Sequence, residues 1–214
     1  MNVDTYRDKN CLNRYHIHVL NYIKPGTQVL DLGCRFGIID RELKAKGCLV
    51  TGVDINPEDL NKAGQFCERA ICGDIENERT LEVLGVKFDY ILFLDVLEHL
   101  RFPDKILLYV KKFLNDRGVI ITNIPNISFW TTRLTILSGE FKYDPSGGIF
   151  DSGHIRFFNY HTMRKLFLNA GYEIVHVKPW VDFPGGNLVS QVPFLINLFA
   201  VAITFVIKPA KAEY

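Results

Sequence analysis

Residues Gln28–Gly37, QVLDLGCRFG, constrain the fold of this chain more than any other stretch. Val29, Leu30 and Leu32 form a short apolar run of strand type, with the carboxylate of Asp31 near its end. The run passes straight into a turn bracketed by Gly33 and Gly37. Glycine has no Cβ, so such a turn lets backbone N–H groups and the N-terminus of the next helix approach a ligand closely. The spacing D-x-G-x-x-x-G differs from the G-x-G-x-x-G of dinucleotide loops. An acidic residue nonetheless follows about 20 positions later, as it does in those loops. Here it is Asp54, which closes the apolar run CLVTGVDI.

A chain of 214 residues suits a single domain, 1–214, that buries its core without disulfides or metal. Its net charge is +1 and no basic stripe stands out, which speaks against a nucleic-acid partner. The five cysteines (Cys11, Cys34, Cys48, Cys67 and Cys72) are odd in number and form no C-x-x-C pair. With no N-terminal signal sequence, they read as reduced thiols of a cytoplasmic protein. Cys34, inside the glycine turn, reads as a small space-filling residue.

Leu12, Tyr15, Val19, Leu20 and Ile23 follow a helical period in an N-terminal helical segment, 1–24, which Pro25-Gly26 ends. The glycine turn leads into a helix over 39–46 with Gly47 as its cap, then a strand over 48–55. Asn56-Pro57-Glu58-Asp59 combines a capping residue, proline at the first helical position and acids in the first turn, so a helix starts there. A short strand is expected at 70–72. FDYILFLDV, 88–96, reads as a central parallel strand buried on both faces. Pro103 opens a helix that places Ile106, Leu107, Val110, Phe113 and Leu114 on one face, and 118–124 is a fifth strand. This alternation indicates βαβ units and a parallel sheet.

Further on, 127–137 reads as helical and 138–153 as a long loop, a length usually functional or disordered. Asn159 caps a helix carrying Met163, Leu166, Phe167 and Ala170, and a strand over 172–177 follows. Residues 188–207 are mostly apolar and long enough to span a bilayer. Ser190, Gln191, Pro193, Asn197 and Thr204 argue instead for a short helix and a buried final strand over 199–207. A peripheral membrane contact through 188–207, and with it membrane association, stays open at this point.

Four pieces fall at the carboxyl ends of expected strands: the glycine turn, Asp54, the pair Asp74-Ile75, and DVLEHL over 95–100. Ligands of open α/β sheets sit at that edge, by the topological switch point. The order resembles a class I S-adenosylmethionine-dependent methyltransferase across essentially the whole chain. It is most similar to a bacterial subgroup encoded with, or fused to, glycosyltransferases of surface-polysaccharide pathways. ITNIPNISFW, LSGEFKYDPSGGIFD and HIRFFNYHTMRKLFLNAGYEI carry that likeness.

The resemblance implies a Rossmann-like α/β fold with a seven-stranded, mostly parallel sheet of order 3-2-1-4-5-7-6, strand 7 antiparallel. It also implies a substrate-side helix and lid-like insertion over 127–160, and S-adenosylmethionine as methyl donor with S-adenosylhomocysteine as product. The acceptor would be a small molecule, a glycan or a lipid-linked sugar, methylated on oxygen. Gly33 and Gly37 would admit the cofactor's methionine end, with Asp31 supporting the turn. Asp54, followed by Ile55, would accept from the ribose hydroxyls, a task for an ionised, acceptor-only group. Asp74 would accept from the adenine amino group and the Ile75 N–H would donate to a ring nitrogen, while Asp95 and Val96 line the transferred methyl. Arg35 departs from the family turn, where a small residue is usual. If its φ is positive it carries about 1–2 kcal/mol of strain, and its guanidinium is a candidate partner for the cofactor carboxylate.

A hydroxyl acceptor benefits from a base. His154, in D-x-x-H-x-R-F-F, and His99, just after the fourth strand, are the candidates; each also has a purely structural reading. Arg156 suits either an anionic substrate group or an ion pair with Asp151. No cluster of Asp/Asn metal ligands stands out, so no metal is expected. N-P-P-Y or D-P-P-Y, usual where bases or glutamine are methylated, is absent after the fourth strand. The rival reading is a non-catalytic cofactor-binding or scaffold protein in a glycan-assembly complex. Oligomeric state leaves no mark in the sequence.

Overall fold

The computed structural model describes residues 12–145, 147–181 and 192–211, so Cys11, Ser190, Gln191 and the first part of the N-terminal segment lie outside the described residues. Helix α1 (Arg14–Tyr22) begins at Asn13, whose side chain accepts from the Tyr15 and His16 N–H groups while His16 Nδ1 accepts from the Asn13 N–H. Strand β1 (Gln28–Leu32) then runs through the glycine turn into α2 (Ile38–Ala45). Next come β2 (Leu49–Asp54), α3 (Pro57–Ala63), β3 (Arg69–Cys72), α4 (Glu78–Glu82) and β4 (Phe88–Leu94). Asn56 caps α3 by accepting from the Glu58 and Asp59 N–H groups, with Pro57 at the first helical position as the sequence demands.

A 3-10 turn (Leu97–His99) separates β4 from α5 (Pro103–Val110), and a second (Lys111–Phe113) leads into β5 (Leu114–Pro125). The remaining elements are α6 (Trp130–Leu137), α7 (Tyr160–Asn169), β6 (Tyr172–Trp180), α8 (Pro193–Phe199) and β7 (Ala202–Pro209).

The seven strands form one sheet in the order β3-β2-β1-β4-β5-β7-β6. β7 is antiparallel to both neighbours and every other pairing is parallel. This is the expected topology. Strand order reverses between β1 and β4, which opens a crevice at their carboxyl ends. Side chains alternate across the sheet with period two. Leu30, Leu32, Ile91, Phe93 and Ile120 face the larger core, with α5 and α7; Val29, Tyr90, Leu92 and Ile121 face the smaller, with Val19, Ile23, Ile39 and Leu43.

Several boundaries differ from the sequence reading. Leu114 opens β5 rather than ending a helix, because it pairs with Phe88 before a register shift. The sixth helix starts at Trp130, since the Asn126 side chain accepts from the Ser128 N–H and turns the chain first. α4 was not anticipated; Asn77 caps it, but only Leu81 of its five residues is buried, too few for a periodic stripe.

Within 192–207, β7 is the buried final strand and α8 the short helix before it. Among the described residues, no helix is long and apolar enough to cross a membrane. The large hydrophobics of 192–207 that remain exposed are Val192 and Phe194.

Candidate active site

The glycine turn is held against β2 by two backbone hydrogen bonds: Gly33 N and Cys34 N both donate to the Val53 carbonyl, at 2.8 and 3.2 Å. Three residues of the turn have left-handed backbone: Gly33 (φ +82°), Gly37 (φ +72°) and Arg35 (φ +48°). Arg35 therefore does sit where a small residue is preferred, and its guanidinium lies over the Phe36 ring, 5.1 Å from the centroid. Its backbone N–H donates to Asp54 Oδ2 at 2.8 Å, and Asn56 N donates to Asp54 Oδ1 at 2.8 Å. Each Asp54 oxygen thus retains a lone pair for a ligand hydroxyl.

Asp31 is buried below the turn and shares a hydrogen bond with Asp40. Burial, then the Asp40 charge, pushes the Asp31 carboxyl well above the usual range, so Asp31 holds the proton and Asp40 accepts it. At the next strand end, Asp74 Oδ1 accepts from the Glu76 N–H at 2.8 Å, and Ile75 is buried beside it. Glu76 in turn accepts from the Arg101 and Phe102 N–H groups.

Asp95 directly follows β4, in left-handed backbone (φ +55°). A relay of hydrogen bonds fixes its carboxylate. Trp180 Nε1 donates to Thr204 Oγ1, Thr204 Oγ1 to Asn123 Oδ1, and Asn123 Nδ2 to Asp95 Oδ1, at 2.8, 2.9 and 2.8 Å. From the other side the Tyr15 hydroxyl donates to Asp95 Oδ2 at 2.7 Å. Burial, then the Asp95 charge, pushes the Tyr15 phenol well above its ordinary pKa, so it remains a donor.

The facing wall is built from the 3-10 turn and the segment 149–156. His154 is buried; its Nδ1 lies 3.0 Å from the Ile149 carbonyl and its Nε2 3.8 Å from Glu98 Oε1. His99 Nδ1 lies 2.9 Å from the Gly153 carbonyl, and the two imidazoles are 4.8 Å apart. Glu98 is 1% exposed, and neither carboxylate oxygen has a hydrogen-bond partner among the described residues. Burial, then the Asp95 charge, pushes its carboxyl well above the usual range. The Glu98 carbonyl accepts from the Ile155 and Arg156 N–H groups, tethering the long loop to the end of β4. The Arg156 guanidinium donates to the Leu100 and Arg101 carbonyls, so it is a loop brace rather than an anion site.

One pocket of about 560 Å³ brings these groups together. Asp31, Gly33, Arg35, Asp54, Ile55, Asp74, Ile75, Asp95, Val96, His99 and His154 all line it. Gly37 does not; a Cβ there would meet the Ala63 Cα at 2.8 Å, so it shapes the turn from behind. Sequence reasoning missed Tyr15, Glu76, Glu98 and Asp40. Glu98 had a signal in LEHL, a carboxylate beside a histidine at a strand end; the others become visible only through long-range contacts.

This fold and this pocket define a class I methyltransferase architecture. A model of the family described as "Methyltransferase domain" matches residues 5–177, and the chain belongs to that family. Among curated relatives, the ubiquinone biosynthesis O-methyltransferase of Glaesserella parasuis is 30% identical over 152 residues, covering 61% of this chain and 64% of that protein. The enzyme of that name from Pasteurella multocida is 29% identical over 137 residues, 57% of each chain. The chain thus spans less than two-thirds of the length of these relatives. Among solved structures, magnesium protoporphyrin IX methyltransferase from Synechocystis PCC 6803 with bound SAH superposes with a TM-score of 0.66 at 16% identity, covering 96% of this chain and 84% of that one. The [4+2]-cyclase SpnF superposes with a TM-score of 0.64 at 14% identity, over 92% and 82%.

Proposed function

We propose that this chain is an S-adenosylmethionine-dependent methyltransferase acting on a hydroxyl of a small molecule, with a glycan or lipid-linked sugar as the more specific acceptor class. The observation that carries this reading is the pocket itself: Gly33 and Arg35 of the turn, Asp54, Asp74 and Asp95 line one side, and His99 and His154 the other. Asp54 takes the ribose hydroxyls, Asp74 and Ile75 the adenine, and Gly33, Arg35 and Gly37 form or shape the turn around the methionine end. Asp95 and Val96 border the methyl. The names of the curated relatives favour oxygen as the atom methylated.

Transfer is an in-line displacement in which positioning supplies much of the rate. An acceptor oxygen forms the new C–O bond, the C–S pair returns to sulfur, and the sulfonium becomes a neutral thioether. The hydroxyl proton leaves toward the Glu98–His99–His154 wall. With Nδ1–H of each imidazole directed at a carbonyl, the Nε2 lone pair is the basic site.

Calorimetric titration with S-adenosylmethionine, then transfer of a labelled methyl to catechols, nucleotide sugars and lipid-linked glycans, tests the proposal. Binding followed by an O-methylated product is expected. No binding at millimolar cofactor, or a product methylated on nitrogen, overturns it. The strained Arg35 favours one alternative, cofactor binding without transfer, which would give binding and no product.

A further inference from the structure

We propose that Glu98, His99 and His154 bind one divalent first-row transition-metal ion on the acceptor side of the pocket. One ligand atom from each residue lies within 4.8 Å of the other two. Nitrogen and oxygen ligands at about 2.0–2.2 Å in a tetrahedral shell stand roughly 3.3–3.5 Å apart, so closure asks for shifts of about 1.5 Å at most.

The hydrogen bonding supplies the second observation. A backbone carbonyl only accepts, so the contacts to Ile149 and Gly153 place the proton on Nδ1 of His154 and of His99. Each neutral ring then carries its lone pair on Nε2. This is how histidines that ligate metals are oriented by the groups behind them. The His154 Nε2 lone pair faces Glu98 Oε1 at 3.8 Å, and both Glu98 oxygens are buried without a hydrogen-bond partner among the described residues. Two acceptors facing each other in a dry site call for positive charge between them.

Two imidazoles and one carboxylate suit manganese, iron, cobalt, nickel or zinc better than the all-oxygen preference of magnesium or calcium. Three protein ligands leave coordination positions open, and His99 and His154 both line the pocket. An acceptor hydroxyl bound there would have its pKa lowered. With the Nε2 lone pairs given to the ion they would no longer act as base, so the proton would leave to water, the oxygen would take the methyl, and sulfur would keep the C–S pair. That catalytic role rests on the O-methylation reading; the binding site does not.

The test is titration of chelator-stripped protein with Co²⁺, followed by calorimetry and by visible ligand-field absorption, with no cofactor or acceptor present. One saturable site per chain is expected. Glu98→Gln and His99→Ala should each weaken it by about tenfold or more, and His161→Ala, exposed on α7, should leave it unchanged. The His99 ring is exposed, so melting of His99→Ala in chelator establishes that this variant is folded even if Glu98→Gln is not. Absence of saturable binding, or equal affinity in folded His99→Ala, would overturn the site and leave a Glu98–His154 pair that shares only a proton. Cobalt binding without any O-methylated product would instead overturn the acceptor reading alone.

Discussion

The Tyr15 hydroxyl and Asp95 Oδ2, 80 residues apart in sequence, are joined by a 2.7 Å hydrogen bond that ties the first helix to the end of the fourth strand. Asp95 needs that tie because its backbone sits at φ +55°, where a residue with a Cβ is strained by about 1–2 kcal/mol. Hydrogen bonds to ionised groups contribute about 1.5–3 kcal/mol. Tyr15→Phe should therefore weaken S-adenosylmethionine binding by roughly tenfold and lower the melting temperature by several degrees. Calorimetry and a thermal melt read both effects. Unchanged affinity would show that the position of Asp95 does not depend on Tyr15.

Asp54 has two tasks, since it fixes Arg35 and Asn56 through their N–H groups and keeps lone pairs for the cofactor. Asp54→Asn retains one acceptor oxygen but places an amide NH₂ against a backbone N–H or a ribose hydroxyl. Cofactor affinity should fall by about 10- to 100-fold. A cofactor that still bound at wild-type affinity would remove Asp54 from the ribose site.

The two turn glycines should respond differently to a methyl group. At Gly33 a Cβ would lie 2.6 Å from Val96 Cγ2, the tip of a side chain; at Gly37 it would lie 2.8 Å from the Ala63 Cα, which cannot move without its helix. Both also pay the left-handed penalty of about 1–2 kcal/mol. Gly37→Ala should be the more destabilising in denaturant melts, by more than about 2 kcal/mol, whereas Gly33→Ala should act mainly on cofactor affinity by displacing Val96. Equal stability losses in the two variants would contradict this division.

The sheet was legible because its evidence is local. A glycine turn after β1, an asparagine-proline start to α3 and a nearly unbroken apolar β4 each announce themselves within ten residues. The carboxylates at the strand ends were legible for the same reason. The opposite wall was legible only in part. His99 and His154 could be named as polar groups near the crevice, but their pairing depends on a loop folding back so that Ile155 and Arg156 donate to the Glu98 carbonyl. Arg156 illustrates the limit: its charge suggested an anion site or an ion pair with Asp151, and the structure shows its guanidinium donating to two backbone carbonyls. Glu98 carried no sign in sequence that both its oxygens would be buried without partners.

The pH dependence of stability should report the carboxyl pair beneath the glycine turn. Burial pushes the Asp40 carboxyl up to about 6, and burial plus the Asp40 charge pushes Asp31 well above the usual range. An unfolded aspartate titrates near 3.9, roughly, so the native state binds these protons more tightly than the unfolded chain. Their contribution is complete below that value and is lost as pH rises through about 6 for Asp40, and higher still for Asp31. Glu98, also raised, adds to the same trend. His16 opposes it on the acid side. Burial lowers its pKa to about 4, so its contribution is present above the ordinary histidine value and disappears as pH falls toward 4. Wild-type protein should accordingly melt at a lower temperature at pH 8 than at pH 6. Asp31→Asn keeps a donor for Asp40 but has no proton to lose, so its melting temperature should fall less over the same interval. Differential scanning calorimetry of both proteins in matched buffers measures that difference in slope. Parallel slopes would mean that Asp31 does not hold the shared proton.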